Sequence, residues 1–243
     1  MKVAAYQAPF LPVGLMAVDL IRTQIGRCEA EGVKILCCPE AILGGLADYA
    51  TDPHKFAIDV EKGELAAVLA PFASDTVMTI LGFTETNGAG RLYNSAAVFH
   101  RDNVMGVYRK RHPAIRRSVY EPGVETPVFT VDGLTFGILI CNDSNFPELA
   151  KNMASQGATA LFIPTNTGLP TERPDVVAEA RAVDIALAKE NGFSVIRADV
   201  AGRIDGMVSY GSSAIIDPRG MILRSARRLS EDLLIADIES PLL

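Results

Sequence analysis

Three stretches of the chain share one local plan, in which a helical segment ends near a glycine and leads into a short apolar strand. They read CEAEGVKILCCPE, MASQGATALFIPTN and LAKENGFSVIRADV. Glycine just past a helix, followed by about four to eight apolar residues, is typical of an αβ unit whose strand is largely buried. In the third unit the helix carries Val176, Ala180, Val183 and Leu187 on one face. These units predict a layered α/β core.

A second pattern lies between these units. The segments TVMTILGFTE, LYNSAAVFH and VMGVYRK follow one another through the short turns NGAG and RDN, which leave no room for helices. They are therefore expected to be antiparallel strands, and MVSYGSSAIIDPRGMILRS with DLLIADI is expected to repeat this meander. The stretch from His112 to Pro127 is rich in proline and arginine and predicts a long loop, a kind of segment that is often functional.

Length and charge limit the class of protein. With 243 residues, of which 49% are hydrophobic, the chain is expected to form a single domain over 1–243. A formal net charge of -6 disfavours nucleic acid and anionic membranes as partners. The absence of a leader pattern and of an apolar run of about 18 residues predicts a cytoplasmic protein. Its four cysteines include no CxxC pair, so neither a disulfide framework nor a metal site is expected.

Cys141 stands out among the cysteines because polar residues follow it at once. It ends the apolar run FGILIC, at the strand end where open α/β sheets place reactive groups. Asn145 and Glu148 have the spacing of a capping box, and Pro147 fits a first turn, so a helix is expected to begin just after the thiol. The amides at that helix end would favour the thiolate. A packed core cysteine remains the alternative, and Cys28, Cys37 and Cys38 fit that alternative better.

A nucleophilic cysteine needs a base and a group that stabilises an oxyanion. Glu40 is a candidate base, because it stands where the buried strand VKILCC gives way through Pro39 to a helix or loop, and Lys110 closes VMGVYRK in the same way. A Cys/His pair stays open, but each histidine lies where a solvated polar residue is common. The three histidines are His54, His100 and His112.

Taken in order, these stretches resemble the carbon-nitrogen hydrolase (nitrilase) superfamily. CCPEAILGG is similar to that family's glutamate segment, GVYRKRHP to its lysine segment and GILICNDSNFPE to its cysteine segment. The likeness continues through LYNSAAVF, GATALFIPTN, ENGFSVIRADVAG and YGSSAIIDPRG, and so covers nearly the whole chain.

The resemblance implies a four-layer αββα sandwich with mixed sheets, in subunits that associate as a homodimer or a higher homo-oligomer, and no cofactor. It implies that Glu40 takes the thiol proton and later activates water, and that Cys141 forms a thioester. Lys110 and the backbone amide of Asn142 would stabilise the oxyanion. Asp143 is interpreted as a residue that orients backbone.

One departure from the family pattern concerns the loop HPAIRRSVYEPG. Many members carry a second glutamate there, several residues before a Pro-Gly pair, and this chain has arginines instead. Glu121 lies directly before the Pro-Gly pair and is one candidate for contacting substrate. Arg116 is another, since guanidinium suits a carboxylate, although a solvated role for it stays open. Asn166, in the loop over 166–175, is a third.

The sequence Cys-Asn-Asp is closer to the cysteine segment of amidases than to that of true nitrilases. The favoured function is therefore hydrolysis of a small amide or N-carbamoyl compound to acid and ammonia. Nitrile hydrolysis by the same residues and a non-catalytic binding protein that kept the fold are the alternatives. A nucleotide-binding protein is disfavoured, because NGAGR lacks the full GxGxxG pattern and lies between two strands.

Overall fold

The computed structural model describes residues 1–115 and 117–239. Over these residues the strands are β1 (Lys2–Pro9), β2 (Ile35–Cys37), β3 (Ile58–Asp59), β4 (Met78–Thr86), β5 (Leu92–His100), β6 (Asn103–Arg109), β7 (Val128–Val131), β8 (Leu134–Ile138), β9 (Ala160–Pro164), β10 (Ser194–Ala198), β11 (Val200–Ile204), β12 (Met207–Tyr210), β13 (Ala214–Ile216), β14 (Ile222–Ser225) and β15 (Asp232–Asp237). The α-helices are α1 (Val18–Ala30), α2 (Glu64–Leu69), α3 (Pro147–Ser155) and α4 (Val176–Asn191). None of these helices is long and apolar enough to span a membrane.

The strands form two mixed sheets. The larger has the order β12-β11-β1-β2-β4-β5-β6, with β15 also paired to β1 and β3 to β4. The smaller has the order β14-β13-β10-β9-β8-β7. Strands β1, β2 and β4 are parallel in the first sheet, and β8, β9 and β10 are parallel in the second. Parallel strands end at a common edge, which is where the loops of an α/β sheet bring polar side chains together.

The two sheets pack face to face, and helices cover both outer faces. Side chains of β1 alternate, so that Val3 and Ala5 point inward, into the apolar cluster that includes Phe162 of the smaller sheet. Ala4 and Tyr6 point outward, into the apolar cluster formed with α1 and α2. On the outer face of the smaller sheet, α3 and α4 contribute Leu149, Ala150, Met153, Leu187 and Ala188. The arrangement is the four-layer αββα sandwich that the family resemblance implies.

The three predicted αβ units are confirmed. They correspond to α1 with β2, α3 with β9 and α4 with β10. Gly32, Gly157 and Gly192 lie just past the helices with φ of 69°, 90° and 70°. Glycine adopts this left-handed conformation without a steric cost, so each helix stops and the chain turns back into the sheet.

The hairpins are confirmed in part. Strands β4, β5 and β6 form the predicted antiparallel series. The later meander is wrong, because β12 pairs with β11 in the larger sheet, β15 pairs with β1, and β13 and β14 form a hairpin in the smaller sheet. The chain crosses between sheets after β12, where Gly211 has φ of 78°. There the amide of Ser212 donates to the buried carboxylate of Asp199 at 2.9 Å, which fixes the crossing.

Candidate active site

Cys141 opens a short 3₁₀ turn, Cys141–Asn145, which follows β8. Its φ is 48°, in the left-handed region that a residue with a side chain rarely adopts. The hydroxyl of Ser144 donates to the carbonyl oxygen of Cys141 at 2.8 Å and helps to hold this conformation. Strained backbone of this kind persists only where the surroundings enforce it, and it is common at functional sites.

The helix after the thiol differs from the predicted one. Helix α3 begins at Pro147, which occupies the first turn as expected, but the residue before it is Phe146, without a side-chain cap. The predicted capping box of Asn145 and Glu148 is therefore wrong. The 3₁₀ turn intervenes, and within it the side-chain amide of Asn145 donates to Oδ1 of Asn142 at 3.1 Å.

The predicted thiolate is also wrong for the resting protein. Burial raises the pKa of the Cys141 thiol, and the Glu40 carboxylate raises it further, to about 12. Lys110, Arg197 and a backbone hydrogen bond of Asn166 act in the opposite direction but are outweighed. Removal of water thus exceeds the effect of nearby helical amides, and the thiol is protonated at neutral pH.

Glu40 lies in the turn after β2 and is 2% exposed. Its Oε1 accepts from Nζ of Lys110 at 2.6 Å and from Nδ2 of Asn94 at 2.8 Å. Its Oε2 accepts from the backbone amide of Asn166 at 2.9 Å. Three donors thus fix both oxygens of a carboxylate that has almost no contact with solvent.

Lys110 follows the last residue of β6 and is 5% exposed. Its backbone amide donates to the carbonyl of Asn94 at 2.8 Å, so Asn94 positions both Lys110 and Glu40. Burial lowers the pKa of the Lys110 amine, but the Glu40 carboxylate and its hydrogen bond raise it by more, and Cys141 adds to this only when it is ionised. The ammonium is therefore charged, although it is buried.

Asp143 connects the lysine strand to the cysteine turn. Its buried carboxylate accepts from the phenol of Tyr108 at 2.8 Å and from the backbone amides of His112 and Ile140 at 2.7 Å and 3.2 Å. It also accepts from the amide of Arg111. These contacts match the predicted role in orienting backbone.

Glu40, Lys110 and Cys141 line one cavity of about 380 Å³. The rest of its wall is mostly apolar. That part of the wall includes Leu46, Tyr49, Pro113, Ile115, Leu169, Val176, Ala180 and Val183. The predicted stripe on α4 is thus divided, because Leu187 packs in the core whereas the other three members face the cavity.

The remaining predicted residues differ in whether they line the cavity. Asn142 and Asn166 line the cavity, and Oδ1 of Asn166 accepts from the amide of Gly168 at 3.0 Å. Glu121 is exposed and does not line the cavity, so the prediction that it contacts substrate is not supported. Its amide donates to the carbonyl of Leu92 at 2.8 Å. This pairing turns the neighbouring Tyr120 inward and Glu121 outward. Arg116 lies outside the described residues.

Two residues at the site were not predicted. Asn94 lies within the segment LYNSAAVF, which contributed to the resemblance, but no role was assigned to it. Arg197 interrupts the apolar strand β10 and lines the cavity with 3% exposure. A charged residue in a fully buried strand is rarely unpaired, and this was the signal available in the sequence. In the described part of the chain, no three His, Cys, Asp or Glu side chains are grouped so as to hold a metal ion.

Gly82 in β4 allows the Glu40 turn to pack across the sheet. A Cβ at this position would lie 2.4 Å from the amide nitrogen of Ala41 and 2.6 Å from the carbonyl oxygen of Pro39. We expect Gly82→Ala to displace the turn, to destabilise the fold by about 1–3 kcal/mol and to lower any turnover by roughly 100-fold. Thermal unfolding and initial rates measure both effects. Gly26→Ala in α1 is the control, because its Cβ would meet nothing within 4 Å; a Gly82→Ala protein with the unaltered rate would contradict the role of the turn.

Comparisons with known proteins show the family of the chain and the fold that it shares. The family model for carbon-nitrogen hydrolases matches residues 2–243. A nitrilase of Pyrococcus abyssi is 30% identical over 219 residues, covering 88% of this chain and 80% of that protein. An (R)-stereoselective amidase of a Pseudomonas species is 31% identical over 220 residues, covering 88% and 77%. The amidase of Nesterenkonia AN1, from the nitrilase superfamily, has the same fold, with a TM-score of 0.81 at 22% identity over 98% of this chain and 92% of that one.

The chain belongs to the carbon-nitrogen hydrolase family. The relatives above are named as one nitrilase and two amidases.

Proposed function

We propose that this protein hydrolyses the carbon–nitrogen bond of a small amide or N-carbamoyl compound through a thioester on Cys141, releasing ammonia and an acid. The observation that carries the proposal is the meeting of a carboxylate, an ammonium and a thiol in one cavity, with 2.6 Å between Nζ of Lys110 and Oε1 of Glu40. The amidase among the relatives supports the amide as substrate.

In the first half of the proposed reaction, Glu40 accepts the thiol proton while Sγ of Cys141 attacks the carbonyl carbon. A base is needed because the pKa of the thiol is about 12. The carbonyl electrons move to oxygen, where the Lys110 ammonium and the amide of Asn142 stabilise the negative charge. Asn142 suits this role, since the first amides of a helical turn have no partner within the turn and this residue lines the cavity.

In the second half, protonated Glu40 gives its proton to the leaving nitrogen, the carbon–nitrogen bond breaks and ammonia departs. Water then attacks the thioester while Glu40 accepts one of its protons; the carbon–sulfur bond breaks, Glu40 returns that proton to the sulfur and the acid departs. In the resting site the Glu40 carboxylate offsets the effect of burial on the pKa of Lys110, and while Glu40 is protonated the negative charge of the tetrahedral oxygen stabilises the ammonium instead.

The test is intact-mass spectrometry with peptide mapping after brief exposure to a panel of amides, N-carbamoyl compounds and nitriles. We expect an acyl or carbamoyl mass on the Cys141 peptide, with ammonia and acid released from at least one amide or N-carbamoyl member. Release from nitriles alone would favour the reaction named for the Pyrococcus relative. Binding without any adduct or ammonia release would indicate a non-catalytic protein and would overturn the proposal.

A further inference from the structure

A buried ion pair lies behind the cysteine turn. Arg197 of β10 and Asp184 of α4 are 3% and 0% exposed. Nε of Arg197 donates to Oδ2 of Asp184 at 2.8 Å, and Nη2 donates to Oδ1. Two parallel hydrogen bonds of this kind fix the guanidinium plane. A buried ion pair adds little net stability, because loss of hydration offsets the attraction. Its hydrogen bonds to neighbouring turns indicate a second role.

The guanidinium uses its other hydrogens to contact two turns at the site. Nη2 donates to Oγ of Ser144 at 3.1 Å, and Nη1 donates to Oγ1 of Thr165 at 2.9 Å. Ser144 belongs to the 3₁₀ turn that Cys141 opens, and Thr165 follows the last residue of β9. Arg197 thus joins a helix, a strand end and the cysteine turn through one rigid plane.

Each turn then contacts a residue of the proposed reaction. The Ser144 hydroxyl donates to the carbonyl of Cys141 at 2.8 Å, which supports its left-handed φ of 48°. The carbonyl of Thr165 accepts from the amide of Glu40 at 3.3 Å. Asn166, the next residue, donates its amide to the Glu40 carboxylate at 2.9 Å. The pair is therefore one hydrogen-bonded step removed from both the nucleophile and the base.

We propose that Asp184 and Arg197 are positioning residues, which fix the Cys141 sulfur and the Glu40 carboxylate relative to each other through Ser144 and Thr165. The proposal rests on the proposed function only in treating Cys141 as the nucleophile. Arg197 also faces the thiol as a cation, together with Lys110, while Glu40 faces it as an anion.

Arg197→Lys separates position from charge, because it keeps the cation but loses the planar fork. The first readout is the rate of Cys141 alkylation by iodoacetamide in the folded protein, followed by peptide mapping, which needs no substrate. We expect this rate to fall about tenfold, since the sulfur no longer points along the open path to the cavity. With an amide that the protein turns over, we expect kcat to fall at least tenfold with little change in KM.

Arg219→Lys is the matched control. Arg219 pairs with Asp217 in the turn between β13 and β14, and neither residue lines the cavity. We expect both rates to stay within about twofold in this variant, since mutations away from a network leave it unchanged. Alkylation and turnover rates of Arg197→Lys equal to those of wild type would mean that charge alone matters and would overturn the positioning role. Because alkylation needs no turnover, this result stays separate from any failure of the proposed function.

Ser144→Ala decides the question if variants of the pair do not fold. It removes the single hydroxyl between the pair and the cysteine turn and leaves the ion pair intact. We expect slower alkylation of Cys141 and, in a crystal structure, a φ of Cys141 that leaves the left-handed region. Unchanged alkylation with an unchanged φ would overturn the proposal.

Discussion

Cys141→Ala is expected to abolish turnover, with a fall in kcat of at least about 10⁴-fold, because no other described group in the cavity can form the thioester. The substitution removes one sulfur atom from a half-buried position, so the fold is expected to remain stable. Ammonia release from the best amide of the panel, compared at equal protein concentration, measures the effect.

Cys28→Ala is the matched control for this experiment. Cys28 is also a free cysteine, but it is fully buried in α1, among the apolar residues on the outer face of the larger sheet. It is expected to lose some stability through the cavity that it creates and to keep its turnover. Equal ammonia release from wild type and Cys141→Ala would show that the cysteine is not the nucleophile.

The parts of the fold that depend on local chemistry could be predicted from the sequence. Gly32, Gly157 and Gly192 mark helix ends whatever the rest of the chain does, because their φ values are strained for other residues. The sheet assignment of β12 to β15 could not be predicted in this way. Period-two patterning identifies a strand but does not say which sheet it joins, and the crossing depends on Asp199, which is distant in sequence from Gly211.

The candidate site was predictable to a similar extent. Resemblance to the family predicts Glu40, Lys110 and Cys141 as the site residues, and the structure places them around one cavity. Sequence spacing alone placed each of them at a strand end and gave no distance between them. The thiolate prediction considered only the helical amides. It omitted burial, which has the largest effect on the pKa of Cys141.

Arg197 and Asp184 show a different limit. Each residue taken alone has an ordinary explanation, since Asp184 lies on a helix and Arg197 near the end of a strand. They become partners only when α4 packs against β10, which buries both charges side by side. A buried polar network is thus visible in the sequence as charged residues within apolar segments, but the tertiary structure decides which of these residues contact one another.

Glu40→Gln is expected to lower turnover while it makes the thiol of Cys141 more reactive. Glutamine keeps the shape of the side chain and an acceptor oxygen but cannot accept the thiol proton, so kcat is expected to fall by about 10³-fold or more. The negative charge of Glu40 raises the pKa of Cys141, which is about 12 in the native protein. Its removal is therefore expected to lower that pKa and to increase the thiolate fraction at any given pH below it.

The measurement is the rate of Cys141 alkylation by iodoacetamide between about pH 7 and pH 10, with turnover measured in parallel. We expect the variant to be alkylated faster than wild type at each pH while its turnover is lost. Glu85→Gln is the control, because Glu85 is a buried carboxylate paired with Arg109 and Ser95 outside the cavity. It is expected to lower stability, since it breaks a buried pair, and to leave both rates within about threefold. Turnover that survives in Glu40→Gln would exclude Glu40 as the base, and slower alkylation would show that its charge does not oppose thiolate formation.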